Sequence, residues 1–446
     1  MKLAAHLGIA AGLLATVSGI AAAQPAGYTI QALPPISQLA GRNSNANGLN
    51  ELGHVAGVAE DDFFGTHAVK WVDGQVIDLR DEPPVVPGST FIWAKGINNL
   101  GQTVGQGTEP YPGGGSQGCA MSHIDGVGLF NPRDGDPIGG GGWAWGVNDS
   151  GQISFRAGST YVYDPIDGVR EVRLPDGAWE LWEINNAGVV CGSGRAPDGK
   201  LHAIRYDYDT DTVTDLVAGT MFDGFHSDAY GLNELGDIVG WGWGGSGYNP
   251  IVWAADGRTI VLATGDLGPA HIDSQSEHIN SQGDVVGLDV SAAAEPPIGW
   301  IAYDALNVGP ADVTTQGAGV GNPGYGVPDR LITSSDLNYY VNAWVALDVA
   351  IADLTTQGAG VGDPGYGVPD GLVSAADINY FVNAWVTGPT ANPPTKIVLR
   401  TVLSPTDQLA WTRMHPFEIN DAGQICGTGI VNGETRGFLM TPVPNN

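Results

Sequence analysis

One ten-residue phrase recurs seven times along the 446 residues of this chain. It reads GLNELGHVAG (48–57), GINNLGQTVG (96–105), GVNDSGQISF (146–155), EINNAGVVCG (183–192), GLNELGDIVG (231–240), HINSQGDVVG (278–287) and EINDAGQICG (418–427). Asn holds the third place and Gly the sixth in every copy. Asn suits the first position of a type I turn, and Gly three residues on takes the left-handed conformation that leads into a strand. Fixed-period self-similarity means one supersecondary unit repeated, and it restricts the fold to stacked or ring-like architectures.

The starts are 48, 50, 37, 48, 47 and 140 residues apart. After most phrases comes a second apolar segment, such as HAVKW (67–71), HAIRY (202–206) or PIVWA (250–254), and then a third, such as GQVIDL (74–79) or TVTDL (212–216). Four short strands in about 48 residues is the size of one propeller blade. The last unit ends after GFLMTPV without a fourth strand, while YTIQAL (28–33) stands alone near the start. Pairing the two would complete a seventh blade and remove exposed edges. The expectation is a mainly β chain, a seven-bladed β-propeller closed by its N-terminal strand.

The phrases A-x-G-I-N-x-x-G-Q-x-V-G and H-A-x-x-W resemble the HAF-repeat family of extracellular bacterial proteins. That resemblance implies a propeller and assigns no catalytic residue. It covers the chain outside one inserted segment and a leader. The leader, residues 1–23, has Lys2, an Ala/Leu/Ile-rich run and Ala21-Ala22-Ala23 before Gln24, the order of a cleaved secretory signal. Localisation is therefore expected to be secreted, at the cell surface or beyond, with no membrane span. A net charge of −30 argues against nucleic acid, whose phosphates it would repel. Cys119, Cys191 and Cys426 cannot all pair within the chain and read as small buried hydrophobes.

The 140-residue gap is one blade plus about ninety residues. TIVLAT of the fifth unit matches KIVLRT beyond the gap, which places the extra segment in the hairpin between strands three and four of blade six. Hairpin tips tolerate insertions because their ends are already neighbours. The expected division is 24–307 for blades one to six, 308–390 for the insertion, and 391–446 for the rest of blade six and blade seven.

The insertion holds two 35-residue copies, 311–345 and 352–386, identical at 26 positions. With Asp377 counted as position 12 of an EF-hand loop, Asp370 falls at 5, Gly371 at 6 and Ser374 at 9. The following helix carries Ile378, Phe381, Val382, Trp385 and Val386 at i, i+3, i+4, i+7 and i+8. This pair resembles dockerin domains of the GC-type, dockerin-like variety, which implies a small α-helical Ca²⁺-binding module and protein–protein docking. Tyr366 and Val368 stand where an ordinary dockerin loop has its first two ligands, so Asp353, or else Asp363, must supply the early one. The candidate ligands are Asp353, Asp370 and Asp377 in the second copy and Asp312, Asp329 and Asp336 in the first. The first copy has Arg330 where the loop wants Gly, and Asn322 in place of Asp363, so the second site should bind more tightly. Helix capping is the plainer reading of Asp336 and Asp377.

No nucleophile elbow, zinc signature, C-x-x-C or phosphate loop is present, and no residue is assigned a catalytic role. Glu60, Asp61 and Asp62 read as a solvated loop, and His226, His271 and His278 as ordinary surface or core histidines. Phe63, Phe64, Trp241, Trp243 and Tyr248, near the turns joining strands two and three, are the candidate sugar-stacking platform. The leading expectation is a secreted, non-catalytic binding or scaffold protein. Its partners would be extracellular carbohydrate and a cohesin-like or cell-surface protein reached through the Ca²⁺ module. The alternative is an extracellular propeller hydrolase or lyase acting on polysaccharide. Two carboxylates roughly 5–10 Å apart beside aromatics at the channel mouth would favour the enzyme; a mouth of Gly and apolar residues would favour the scaffold.

Overall fold

In each of the seven phrases the Asn carbonyl accepts the N–H of the Gly three residues on, as in Gly53 N to Asn50 O at 3.1 Å and Gly236 N to Asn233 O at 3.1 Å. The seven glycines have φ between 72° and 87°. The Asn side chain locks the turn from within: Asn50 Oδ1 accepts from Leu52 N at 3.1 Å and from His54 N at 2.9 Å. Each turn thus reverses the chain between the first two strands of a blade.

The structure is a computed structural model. It describes residues 25–444 except 81–86, 111–113, 134–141, 174–177, 245–246, 263–266, 268–273, 292–296, 304, 307–333, 358–369 and 388–395. The leader 1–23, His271, Asp312, Asn322, Asp329, Arg330, Asp363, Tyr366 and Val368 lie outside the described residues.

Seven four-stranded antiparallel sheets make a seven-bladed propeller. Blade one runs Ser44–Leu49, Val55–Glu60, Thr66–Val72 and Gln75–Asp78 in order. In the seventh sheet, Gly27–Leu33 lies on Glu434–Val443 in the register Gly27↔Val443 to Leu33↔Gly437. Its other two strands are Ile425–Val431 and Trp411–Ile419. Blade six pairs Ile298–Ala302 with Ile397–Val398, so the inserted segment leaves and re-enters between its third and fourth strands.

The core lies between blades. Ala56 and Ala68 of blade one pack with Phe91, Ala94 and Met121 of blade two; Val239 and Val252 of blade five pack with Ile279 and Trp300 of blade six. Burying a side chain such as Phe91 contributes about 1.5–3 kcal/mol. The His of H-A-x-x-W has a structural use: His67 Nδ1 meets Asp78 at 2.5 Å and His202 Nδ1 meets Asp215 at 2.7 Å, tying the third strand to the end of the fourth. Cys119, Cys191 and Cys426 are buried and unpaired.

Residues 308–391 cluster as a unit of their own. Within it, Ser334–Val345 (α1), Val349–Ala352 (α2) and Ala375–Thr387 (α3) are helical. Tyr340 and Phe381, equivalent positions of the two copies, stack with centroids 3.9 Å apart and planes 1° from parallel. One residue of each apolar stripe thus meets the other inside a shared cluster with Leu337, Ala343 and Ile378.

Candidate functional site

The phrase does more than turn the chain, because its Asn side chains join the blades. Each Nδ2 donates to the backbone carbonyl of the next blade's Asn: 50 to 98, 98 to 148, 148 to 185, 185 to 233, 233 to 280, 280 to 420 and 420 to 50. The seven bonds, 2.8–3.2 Å long, close a ring about the propeller axis. A second series runs beside it. At six junctions the N–H of the fourth residue donates to the fourth side chain of the next blade, as in Asn99 N to Asp149 at 2.8 Å and Asp421 N to Glu51 at 3.0 Å. Partial burial and the neighbouring Asp421 raise Glu51 to about 7.

Just before each phrase the first strand bulges. Its register against the second strand slips between Ala46 and Gly48, Ala94 and Gly96, Ala144 and Gly146, Ala229 and Gly231, Ser276 and His278, and Pro416 and Glu418. In blade four it slips between Leu181 and Ile184. A bulge sets two residues against one and re-aims their side chains. The residues it displaces are Asn47, Lys95, Trp145, Trp182, Tyr230, Glu277 and Phe417, and all seven line one axial cavity of about 270 Å³.

The next residue, first in the phrase, is Gly in four blades because no Cβ fits there. A Cβ on Gly48, Gly96 or Gly231 would lie 2.4–2.5 Å from a carbonyl oxygen of the next blade. The other three blades carry Glu183, His278 and Glu418. Each reaches the following blade: Glu183 accepts from Leu232 N at 3.0 Å, Glu418 accepts from Leu49 N, and His278 Nδ1 meets Ile419 O at 3.0 Å.

Glu183 and Glu418 line the cavity, and His278 lies behind them against Glu183. His278 Nε2 is 3.2 Å from Glu183 Oε2, with side-chain exposures of 17% and 23%. Nδ1 faces the Ile419 backbone, with the carbonyl at 3.0 Å and the N–H at 3.5 Å, and Nε2 faces the Glu183 carboxylate as a donor. Burial works against that charge, but Glu183, Glu418 and Glu51 outweigh it and raise His278 to about 9. Burial, reinforced by Glu183 and opposed by His278, raises Glu418 to about 8. Burial and Glu183 thus favour the protonated form of Glu418, while the contact with Glu183 favours the imidazolium form of His278.

Trp145, Trp182 and Tyr230 of the wall are one end of an aromatic arc whose other end, Trp93 and Trp143, lines an adjoining cavity. Trp93 stacks on Trp143 at 5.2 Å, Trp143 on Trp145 at 5.5 Å, and Trp145 meets the edge of Trp182 at 4.5 Å. Trp182 meets Tyr230 at 5.5 Å and donates Nε1 to Asp228 at 3.3 Å. Lys95 Nζ lies 5.3 Å over Trp145, and burial lowers its pKa. Opposite, His415 packs on Phe417 at 4.2 Å and pairs with Glu277 at 3.5 Å. An adjoining cavity of about 320 Å³ shares Asn47, Lys95, His415 and Phe417. Trp145 Nε1 and Thr428 Oγ1, buried atoms of lining residues, have no hydrogen-bond partner among the described residues.

The five aromatics picked out from the sequence fall into two groups. Phe63 and Phe64 belong to blade one and are 90% and 64% exposed, with the Arg42 guanidinium 3.6 Å above the Phe64 ring. Trp241, Trp243 and Tyr248 belong to blade five, where Tyr248 packs edge-on against both tryptophans. No ring contact joins the groups among the described residues. Trp241 Nε1 donates to Tyr230 OH at 3.0 Å, so the blade-five group continues the axial arc. The acidic run is a built loop: Asp61 accepts from Gly65 N at 2.7 Å and Phe63 N at 2.8 Å, which lowers its pKa. His278 is a largely buried histidine, expected as a surface or core residue, and its Nε2 is held by Glu183. The signal was present in the phrase, where Glu, His and Glu replace Gly at the first place.

In the inserted unit, Asp353 accepts from Asp370 N at 3.0 Å and Gly371 N at 2.5 Å, and Gly371 has φ 84°. Asp370 is exposed and accepts from Leu372 N at 3.0 Å and Gln357 N at 2.7 Å. Asp377 is fully buried and accepts from Leu354 N, Thr355 N and Ser374 N at 2.7–2.9 Å. Asp377 is the third residue of α3 rather than the residue before it, and with Ser374 forms a capping box. Asp336 lies in the first turn of α1. Among the described residues no group of three or more His, Cys, Asp or Glu is gathered to hold a metal ion.

No protein-family model matches the chain, and no curated protein matches it. Several solved structures resemble it. A streptogramin B lyase is 9% identical, with 93% of this chain and 98% of that one covered and a TM-score of 0.38. TolB from Acinetobacter baumannii is 14% identical at TM-score 0.34; the match takes in 56% of this chain and spans 60% of TolB's length. A lectin from Aleuria aurantia, in complex with Fucα1-6GlcNAc, is 10% identical, with 59% and 92% covered and a TM-score of 0.30. At these values none of them bears on what the axial cavity does.

Proposed function

We propose that this protein is a secreted propeller that binds a neutral glycan chain at its axial cavity. The observation that carries the reading is that Trp145, Trp182 and Tyr230, one end of the aromatic arc, line a single cavity with Glu183 and Glu418. A sugar ring offers an apolar face to stack and a rim of hydroxyls that donate and accept. Here the wall supplies the stacking surface, and Asn47, Lys95, Glu183, Glu277 and Glu418 supply the rim partners. The lining carries both signs: Glu183 is paired with His278, and Lys95 lines the same cavity as Glu277. A neutral ligand fits that balance, and the net charge of −30 disfavours a polyanionic one. The cavity is smaller than the roughly 300–1,000 Å³ of a drug-sized site, which suits one residue or a chain end.

In this reading the Gly27–Leu33 strand closes the ring, and the chain carries the HAF-type repeat its phrases resemble. The inserted pair is a dockerin-like module that binds Ca²⁺ and docks the propeller to a cohesin-like or cell-surface protein. Asp353, Asp370 and Asp377 would hold the second ion. Two features support this. Asp353 is drawn onto the backbone of Asp370 and Gly371, and Gly371 has the turn conformation that loop position 6 requires.

The test is affinity electrophoresis of the full chain in gels containing neutral β-glucan, xylan or mannan, against polyanionic pectate. Retardation in a neutral glycan, reduced about tenfold in apparent affinity by Trp145→Ala and untouched by Phe63→Ala, is expected. Equal retardation of wild type and Trp145→Ala would place binding elsewhere.

A further inference from the structure

Resting on the glycan-binding reading, we propose that the same cavity hydrolyses the glycosidic bond, with Glu418 as general acid, Glu183 as general base and His278 as a positioning residue. The carboxylates come from opposite sides of the ring, blades seven and four, and both line the aromatic cavity and a second pocket lined by residues of the phrases, Asn50, Asn98 and His278 among them. Four of seven blades carry Gly at this level, which confines the reactive groups to the remaining three.

The two glutamates make the same backbone contact to the next blade yet have different neighbours. Glu183 is ion-paired with His278 at 3.2 Å. Glu418 has no hydrogen bond from a cation among those described, accepting only from the neutral Leu49 N–H. Burial and the charge of Glu183 raise its pKa and favour its protonated form. Two carboxyl groups set apart by their surroundings are what acid–base cleavage of a glycoside needs.

The step balances without a cofactor. Water attacks the anomeric carbon while the bond from that carbon to the leaving oxygen breaks. Glu418 gives its proton to the leaving oxygen, and Glu183 takes one from the water. The products are a new reducing end and a free hydroxyl, and one proton returned from Glu183 to Glu418 through solvent resets the site. His278 does not touch the reacting atoms; its bonds to Glu183 and to Ile419 O fix the orientation of the base.

The experiment measures binding and turnover on the same samples. Tryptophan-fluorescence titration with oligosaccharides of neutral glucan, xylan and mannan reports binding, and release of reducing ends reports hydrolysis. Glu418→Gln keeps an acceptor for Leu49 N–H and should fold as the wild type does. It is expected to bind with KM or Kd changed less than about threefold while kcat falls roughly 100- to 10,000-fold. Glu183→Gln should behave likewise. His278→Gln should lower kcat and move the pH optimum, which a purely structural lock between blades would not do. Binding by wild type without any reducing-end release, or full activity in a folded Glu418→Gln, overturns the catalytic assignment and leaves the binding reading standing. No binding by wild type overturns both.

Discussion

Asn98→Ala tests how much of the propeller's stability lies in the axial asparagine ring. Asn98 is 4% exposed. Its Nδ2 donates to Asn148 O at 2.8 Å, and its Oδ1 accepts from Leu100 N at 3.1 Å and Gln102 N at 2.9 Å. Alanine removes three bonds with a net value of about 1 kcal/mol each, and it strands buried backbone partners that each cost about 1–3 kcal/mol when unmet. Allowing for partial relaxation, the loss should be about 3–5 kcal/mol, a large share of the 5–15 kcal/mol typical of a folded domain. Asn98→Asp separates the parts. It keeps an acceptor for both N–H groups but sets a carboxylate oxygen against Asn148 O. Its folded-state pKa must then lie above the unfolded value, so stability relative to wild type is present at low pH and lost as pH rises through that raised value. Urea unfolding followed by tryptophan fluorescence at pH 4 and pH 7 measures both, with Leu100→Ala, 74% exposed on the same turn, as the control. An Asn98→Ala variant within about 0.5 kcal/mol of wild type would refute the reasoning.

The raised groups on the axis give wild type a pH dependence. Glu418 at about 8 and His278 at about 9 both lie above their unfolded values, so the stability each contributes is full at lower pH and is lost as pH climbs through those values. The melting temperature should fall from pH 6 to pH 9, and Glu418→Gln should flatten much of the slope; an unchanged slope would contradict the assignment. Gly231→Ala should unfold blade five or cost several kcal/mol, since its Cβ would lie 2.4 Å from Glu277 O, whereas Gly126→Ala, at φ 72° in open space, should cost only about 1–2 kcal/mol in a chemical denaturation series. Calorimetric titration of the full chain with Ca²⁺ should show saturable binding weakened by Asp370→Asn, and identical isotherms for the two proteins would remove that residue from the ligand set. A thiol reagent should label Cys119, Cys191 and Cys426 only after denaturation, because all three are buried and free.

The blade count and the turns were readable because they rest on local chemistry repeated seven times. An Asn that accepts its own turn's N–H groups and a Gly at positive φ leave the same trace in every copy. The insertion point was readable because KIVLRT keeps the pattern of its neighbour TIVLAT. The site was hidden for the opposite reason. Trp145, Trp182, Tyr230 and Phe417 face the axis because of a bulge, and a bulge is a matter of register between two strands. A period-two reading of WAWGVN or SDAYGLN places those side chains in plain alternation. Reading aromatic loops therefore led to Phe63 and Phe64, which are exposed on blade one, and reached the arc only at its end, through Trp241. Glu183, His278 and Glu418 were visible as exceptions within the phrase. Their meaning depended on the ring bringing blades four, six and seven onto a common axis.

The central claim is that the axial cavity holds a sugar between the aromatic arc and the carboxyl groups of Glu183 and Glu418. A crystal structure of the full chain soaked with the neutral oligosaccharide that binds most tightly tests it most directly. The account predicts a sugar ring stacked on Trp145 or Trp182, with hydroxyls within hydrogen-bonding distance of Glu183 and Glu418. A sugar bound at Phe63 and Phe64, with the axial cavity filled only by water, would contradict it.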